Sequence, residues 1–198
     1  MINKLRYFIY LLFFSSNVVG QQDLLINQSK ISEVMAFERS LNSDVKFYTG
    51  DIELSKDIYP LGDKYRVENP LIVQRNSSDY LPITAEYFFT ASDSLVRFIS
   101  YNWEKNRFGD LSEKMKQDES ESKNIIFYNK EFDRIQSVIE SYYGKPDYDD
   151  KKPQEKSSRK GTYYLRKSKW DFDDKYGSLT MIFGADTYRI SFRIYWKG

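Results

Sequence analysis

The order of segments along this chain of 198 residues predicts an α+β fold, with an antiparallel β-sheet of about five to six strands and two or three helices packed on one face. Apolar residues recur with helical spacing near the start of the chain and again in its middle. Alternating apolar and polar residues, which are typical of half-buried strands, fill the stretches between and after these two helices. Because the strands come in groups and do not alternate singly with helices, an antiparallel sheet is favoured over a parallel one.

The first helix is predicted to begin at Ser29 or Ser32, whose hydroxyl groups can cap it, and to end at Leu41. Short strands are predicted after it, at Val45–Tyr48 and Lys64–Val67. Glycine and proline residues interrupt this part of the chain, which indicates that loops dominate around the two strands.

A β-hairpin is predicted from two alternating segments, Pro82–Thr90 and Leu95–Trp103. The intervening residues Ala91–Ser94 include serine and aspartate side chains, which hydrogen-bond to nearby backbone in turns. We therefore expect these two segments to pair as neighbours in the sheet.

Two further helices are predicted between the hairpin and the C-terminal strands. A short one is expected to begin at Asp110, because Glu113 completes a capping-box pattern. A longer one is expected to begin at the cap residue Asn129 and to end at Gly144, with Pro146 preventing its continuation. The apolar stripe of the longer helix consists of Phe132, Ile135, Val138, Ile139 and Tyr142.

The last third of the chain is predicted to be mostly strand. The charged segment 147–161 is interpreted as a linker or a long hairpin loop inside the domain, and strands follow at Thr162–Phe172, Ser178–Phe183 and Thr187–Lys197. In the final strand every second residue is large and apolar, and this set is expected to pack on the stripe of the longer helix. Its members are Tyr188, Ile190, Phe192, Ile194 and Trp196.

The N-terminal segment has the three-part layout of a secretory signal peptide. Basic residues precede the apolar run Tyr7–Phe14, and the following residues place Val18 and Gly20 at the positions of a cleavage site. The apolar run is far shorter than the roughly 20 residues that span a bilayer. We therefore expect a cleaved signal peptide at 1–20 and a single α+β domain at 21–198. The protein would be exported to the periplasm or the exterior of a bacterium, with no transmembrane segment left after cleavage.

The chain contains no histidine and no cysteine. This absence excludes Ser-His-Asp triads, Cys-His nucleophiles and the zinc sites that these two residue types build. Glycine-rich phosphate-binding motifs are also absent. We therefore expect no catalytic residue, no cofactor and no metal. The near balance of 30 basic and 29 acidic residues also argues against nucleic acid as a partner.

Two groups of aspartates, within 147–150 and 171–174, offer oxygen ligands of the kind that calcium takes. Neither group has the spacing of a calcium-binding loop, because lysine occupies the fifth place in both. These aspartates are therefore interpreted as turn residues that bond to backbone N–H groups.

A candidate partner-binding face comes from the last predicted strand. Arg189 and Arg193 lie four residues apart, so they share a face with Ser191 between them. With Arg166 and Lys169 nearby in sequence, we expect these residues to line a basic sheet surface that receives an acidic loop of a partner. The alternative interpretation is a solvated outer face whose charges form cross-strand ion pairs.

A candidate aromatic contact patch comes from tyrosines around the end of the longer helix, namely Tyr142, Tyr143 and Tyr148. Exposed tyrosines suit contacts with sugars or proteins, because the ring is apolar and the hydroxyl group is polar. The alternative interpretation is ordinary packing in the core or on a sheet face.

Export together with the missing catalytic residue types predicts a non-catalytic binding or accessory module, whose partner is another envelope or extracellular protein. One alternative is a carboxylate-dependent enzyme acting on glycans, which would need two carboxylates facing each other about 5–10 Å apart. The other alternative is a structural component of the cell envelope.

Overall fold

The computed structural model describes residues 24–41, 43–47, 54–75, 80–105, 112 and 120–198. The signal peptide predicted at 1–20 and the capping box of Asp110 and Glu113 lie outside the described residues and stay predictions. Neither of the two helices below combines the length and the apolar character that a membrane-spanning helix requires.

Two helices and nine strands are named in the described part of the chain. Helix α1 spans Ile31–Ser40 and helix α2 spans Ile125–Tyr143. The strands are β1 Asp44–Phe47, β2 Leu71–Gln74, β3 Ile83–Phe89, β4 Val96–Trp103, β5 Tyr148–Asp149, β6 Gln154–Ser158, β7 Gly161–Asp171, β8 Lys175–Gly184 and β9 Thr187–Trp196.

The strands form one antiparallel sheet in the order β1-β2-β3-β4-β9-β8-β7-β5, and β6 pairs with β7 beside β5. The predicted combination of an antiparallel sheet with helices is confirmed, but the predicted number of strands is wrong. The additional strands are short: β2 is a run of buried residues without alternation, and β5 and β6 lie in the polar segment 147–161. A short polar strand at a sheet edge carries no periodic apolar signal, so the sequence pattern does not show it.

One face of the sheet, here called the inner face, carries the main core. Its central row joins Ala85, Tyr101, Phe192 and Leu179 in register across β3, β4, β9 and β8. All four side chains are fully buried, and the rings of Tyr101 and Phe192 stack with their centroids 6.5 Å apart. The buried residues of both helices belong to the same cluster, so α1 and α2 pack against this inner face.

Helix α2 covers β8 and β9, and its predicted stripe is correct in part: Val138 packs against the core, but Tyr142 is exposed and its neighbour Tyr143 packs against the core instead. Phe132, Ile135 and Ile139 are buried in the core, and the helix ends at Gly144, whose φ of 76° lies in the left-handed region that glycine adopts without strain. The predicted start at Asn129 is wrong, because the helix begins at Ile125. Asn129 lies in the second turn, where its side chain accepts a hydrogen bond from Arg166 of β7.

The other face of the sheet, here called the outer face, is covered at one end by the segment 54–67. The predicted strand Lys64–Val67 is wrong, since Lys64 lies in a turn, Tyr65 in a bend, and none of the four residues pairs with a strand. Tyr59 from this segment packs between Phe98 and Tyr195, with ring centroids 5.9 and 6.2 Å away. A small second core of Tyr59, Phe88 and Phe98 therefore covers one end of the outer face. Strands β7, β8 and β9 form the neighbouring part of that face.

Candidate binding face of the sheet

Strand register decides which side chains share the outer face. Lys169 of β7, Ser178 of β8 and Arg193 of β9 lie in one row, and Lys167, Thr180 and Ser191 lie in the next row. Arg189 lies one row further along β9, opposite Ile182. We call this region the basic face, and it consists of Lys167, Lys169, Ser178, Thr180, Arg189, Ser191 and Arg193.

The predicted residues on β9 differ in their surroundings. Arg189 and Arg193 are half-buried, so both side chains reach solvent. Ser191 is buried, and its hydroxyl donates a hydrogen bond of 2.8 Å to the Oδ1 atom of Asn102 on β4. Ser191 therefore ties β9 to β4 and offers little surface to a partner.

Arg189 forms a cross-strand ion pair with Glu104, at a distance of 3.9 Å between Nη1 and Oε1. This contact is the kind that the alternative interpretation of the outer face predicts. Half-exposed ion pairs of this length contribute about 0.2–1 kcal/mol to stability. The pair therefore leaves the guanidinium group available to a competing carboxylate at small cost.

Arg166 does not belong to the basic face, and its predicted position is wrong. On β7 it stands opposite Met181, so its side chain lies on the inner face under α2. Its guanidinium group donates 2.7 Å hydrogen bonds to Asn129 and Asp133 and a 2.9 Å bond to the backbone oxygen of Asp150. Arg166 is 5 % exposed and therefore holds α2 and the segment after β5 onto the sheet. Nearness in sequence suggested a shared surface, but the alternation of side chains along β7 places Arg166 on the opposite one.

The three tyrosines of the predicted aromatic patch do not lie together. Tyr143 packs on Phe172 and Phe192 in the core, and its hydroxyl donates a 3.0 Å bond to the backbone oxygen of Ile26. Burial raises the pKa of Tyr143 well above its ordinary value. Tyr142 is exposed on α2, and Tyr148 lies at the edge of the outer face.

Tyr148 borders the basic face and contacts it. Its ring lies 5.6 Å from the ammonium group of Lys169, and its hydroxyl donates a 2.6 Å bond to Asp150. That hydrogen bond raises the pKa of Tyr148. Of the three predicted tyrosines, Tyr148 is the one that the fold places beside the basic face.

Lys167 is the charged member of the basic face that the sequence analysis did not predict; the uncharged Ser178 and Thr180 were not predicted either. The signal was present in the segment 165–170, where Lys167 and Lys169 alternate with the buried residues Arg166, Ser168 and Trp170. A period of two in a strand places both lysines on one side and the buried residues on the other. The mixture of charged residues on both sides obscured this pattern.

A cavity of about 800 Å³ lies along the segment 54–69. Its lining includes Tyr59, whose hydroxyl is the one buried side-chain polar atom without a hydrogen-bond partner in the described part of the chain. Burial raises the pKa of Tyr59 to about 12. Lys56 and Asp63, which also line the cavity, are highly exposed and form an ion pair with each other.

Glu38 on α1 is a fully buried carboxylate with a full set of partners. Arg75 donates two hydrogen bonds to it, from Nη2 at 2.7 Å and from Nε at 3.1 Å. Ser43 donates a third at 3.0 Å, and the hydroxyl of Tyr87 also donates to it. This saturated network anchors α1 to the sheet and leaves no free lone pair on Glu38 for a reaction.

Glu121 is the second carboxylate with full hydrogen bonding. Lys105 and Tyr80 donate to it at 2.6 and 2.7 Å, and Asn124 donates at 3.4 Å. Burial would raise the pKa of Glu121, but these hydrogen bonds outweigh burial and lower it. Neither Glu38 nor Glu121 lines the cavity, so these two carboxylates give no support to the glycan-enzyme alternative.

The aspartates of the two candidate calcium groups bond mainly to the protein itself. Asp147 accepts from the backbone N–H of Asp171 at 2.8 Å, and Asp150 accepts from that of Lys167 at 3.0 Å. Asp149 accepts from the hydroxyl of Ser168 at 2.9 Å. Within the described residues, no three acidic side chains come together in a metal-binding arrangement.

Comparison of the chain with known protein families, with curated proteins and with solved structures gave no match. The functional proposals below therefore depend on the chemistry and geometry of this chain alone.

Proposed function

We propose that this chain is an exported bacterial binding module without catalytic activity, and that the basic face is its binding surface. The observation that carries the proposal is the arrangement of Lys167 and Lys169 on β7 and of Arg189 and Arg193 on β9, all partly exposed on the same face of the sheet with β8 between them. A near-neutral chain has concentrated four cations in one place, and such a patch favours association with an acidic partner.

The chemistry of the rest of the chain supports a role in binding rather than catalysis. The fully engaged carboxylates Glu38 and Glu121 stabilise the fold, and histidine and cysteine are absent from the sequence. Arg166 is likewise structural, because its hydrogen bonds join α2 to the sheet. The four cations of the basic face are partly exposed to solvent, and the ion pair of Arg189 with Glu104 is long, at 3.9 Å.

The proposal is tested by capture of a partner from envelope and medium fractions of the source bacterium, with the full chain carrying a C-terminal tag. The variant R189E/R193E should lose a partner that the unchanged chain retains, while its thermal unfolding temperature stays within a few degrees. A matched control, K152E/K160E, makes the same change in charge at two exposed lysines outside the basic face. It should retain the partner. Equal capture by both variants contradicts the proposal, and co-purification with detergent-resistant envelope complexes in all variants would favour an envelope structural role.

A further inference from the structure

The basic face contains a trough that runs along β8. Ser178 and Thr180 are short side chains on the middle strand, and the longer side chains of Lys167, Lys169 and Arg193 stand on the strands at either side. Neighbouring strands are about 4.8 Å apart, so the two rows of long side chains start about 10 Å apart. This width accommodates one extended chain lying above β8.

The wall of the trough on β7 is positively charged and open. In the part of the chain that the structure describes, no carboxylate forms an ion pair with Lys167 or Lys169. Asp171 at the end of β7 is paired with Lys197 at 2.6 Å. Asp150 at the sheet edge is engaged by the hydroxyl of Tyr148 and the backbone of Lys167.

We propose that the trough receives an extended, acidic peptide segment of the partner protein, with a carboxylate at every second residue. This proposal rests on the proposed function and specifies the chemistry of its partner. Lys167 and Lys169 are two residues apart on a strand, which separates them by about 7 Å. An extended peptide repeats its side chains on one side at the same interval, so successive carboxylates meet successive lysines.

The floor of the trough supports the same occupant. The hydroxyls of Ser178 and Thr180 can each donate to a carboxylate or accept from a backbone N–H group. A carboxylate on the far side of the peptide would approach Arg193, whose planar group binds carboxylates in a bidentate manner. The carboxylates of an acidic polysaccharide follow the spacing of sugar rings and do not share the two-residue period of the strand.

The direct test measures binding of the full chain to a fluorescent peptide in which Glu and Thr alternate, by fluorescence anisotropy at low salt. An isomer with the same composition, in which all Glu residues come first, is the peptide control. The alternating peptide should bind about tenfold more tightly than the isomer, and its affinity should fall as salt is added. Equal affinity for the two peptides, or no binding of either, overturns the proposal.

Charge-reversal variants locate the binding. K167E/K169E should weaken binding of the alternating peptide by about tenfold or more, because each lysine is replaced by a charge that repels the peptide. K152E/K160E should stay within about twofold, since its lysines lie outside the trough. Oligogalacturonate serves as a polysaccharide probe, and binding of this probe that exceeds peptide binding and is lost in K167E/K169E overturns the peptide assignment.

The capture experiment separates failure of this inference from failure of the proposed function. If K167E/K169E abolishes capture of the natural partner but the alternating peptide neither binds nor competes, the basic face is supported as the binding surface. The proposal that its occupant is an extended acidic peptide segment is then refuted. If K167E/K169E captures the partner as well as K152E/K160E does, the face itself is refuted. The thermal unfolding temperatures of both variants show whether any loss reflects unfolding.

Discussion

The buried pair of Glu38 and Arg75 should be one of the strongest single determinants of stability in this chain. Glu38 is fully buried and Arg75 is 8 % exposed, so neither charge can be compensated by water if its partner is removed. Replacing Arg75 with Met leaves the carboxylate with only the hydroxyl donors of Ser43 and Tyr87. Breaking a buried pair in this way costs about 3–5 kcal/mol of unfolding free energy.

The double variant E38L/R75M provides the sharper test of this account. Removing both charges leaves no unpaired ion in the core, and the hydroxyl of Tyr87 still has that of Tyr101 at 3.2 Å. Replacement of a buried ion pair by apolar residues of similar volume is often neutral or stabilising. The double variant should therefore be less destabilised than R75M alone, and within about 2 kcal/mol of the unchanged protein.

Urea unfolding followed by the fluorescence of the buried residues Trp103 and Trp170 measures these differences. The variant K56M removes one member of a highly exposed ion pair and serves as the control, with an expected change below about 1 kcal/mol. A loss below about 1 kcal/mol for R75M, or a double variant at least as unstable as R75M, would refute the role assigned to this pair.

Three further predictions concern individual side chains. R166M should lower the unfolding free energy by about 1–3 kcal/mol in urea titrations, because it removes the hydrogen bonds that Arg166 donates to Asn129 and to the backbone oxygen of Asp150, whereas the exposed Asp133 stays hydrated; an unchanged midpoint would contradict its structural role. Y59F should leave stability unchanged or raise it by about 1 kcal/mol, since it removes a buried hydroxyl without a partner, and a clear loss of stability would show that the hydroxyl is bonded. Glu121 has a folded-state pKa below its ordinary value, so its stabilisation is present above about pH 4.5 and is lost as the pH falls through the folded-state pKa. E121Q should therefore lose less stability than the unchanged protein between neutral pH and about pH 3 in thermal unfolding scans, and an identical pH dependence would argue against this assignment.

Helices and strands were predicted best from the sequence where apolar residues recur with a regular period along the element. The hairpin of β3 and β4, the three C-terminal strands and the stripe of α2 all have such a period, and their positions were predicted to within a few residues. Strand β2 was not predicted, because Leu71, Ile72 and Val73 are all buried, on both faces of the sheet, and so show no alternation of apolar and polar residues. The start of α2 was predicted at the wrong residue, because Asn129 is a residue type that often caps helices but here accepts a hydrogen bond from Arg166.

The complete basic face could not be predicted from the residues of one strand, because it also depends on which strands are neighbours in the sheet and on their register. The period of two correctly placed Arg189 and Arg193 on one side of β9, and Lys169 was expected near them, but the strand pairing had to be known before Lys167 could be added to this group. Strand pairing also separated Arg166 from this group. Local patterns therefore specify which side chains of one strand share a face, and the register specifies which strands combine to make a surface.

Partner capture by K167E/K169E and K152E/K160E, compared side by side, decides whether the basic face is the binding surface. Both variants change the net charge equally, and they differ in whether the altered lysines lie on the basic face. We expect K152E/K160E to capture the natural partner like the unchanged chain, whereas K167E/K169E should lose it at an unaltered thermal unfolding temperature. Full capture by a folded K167E/K169E would contradict the claim that this face is the binding surface.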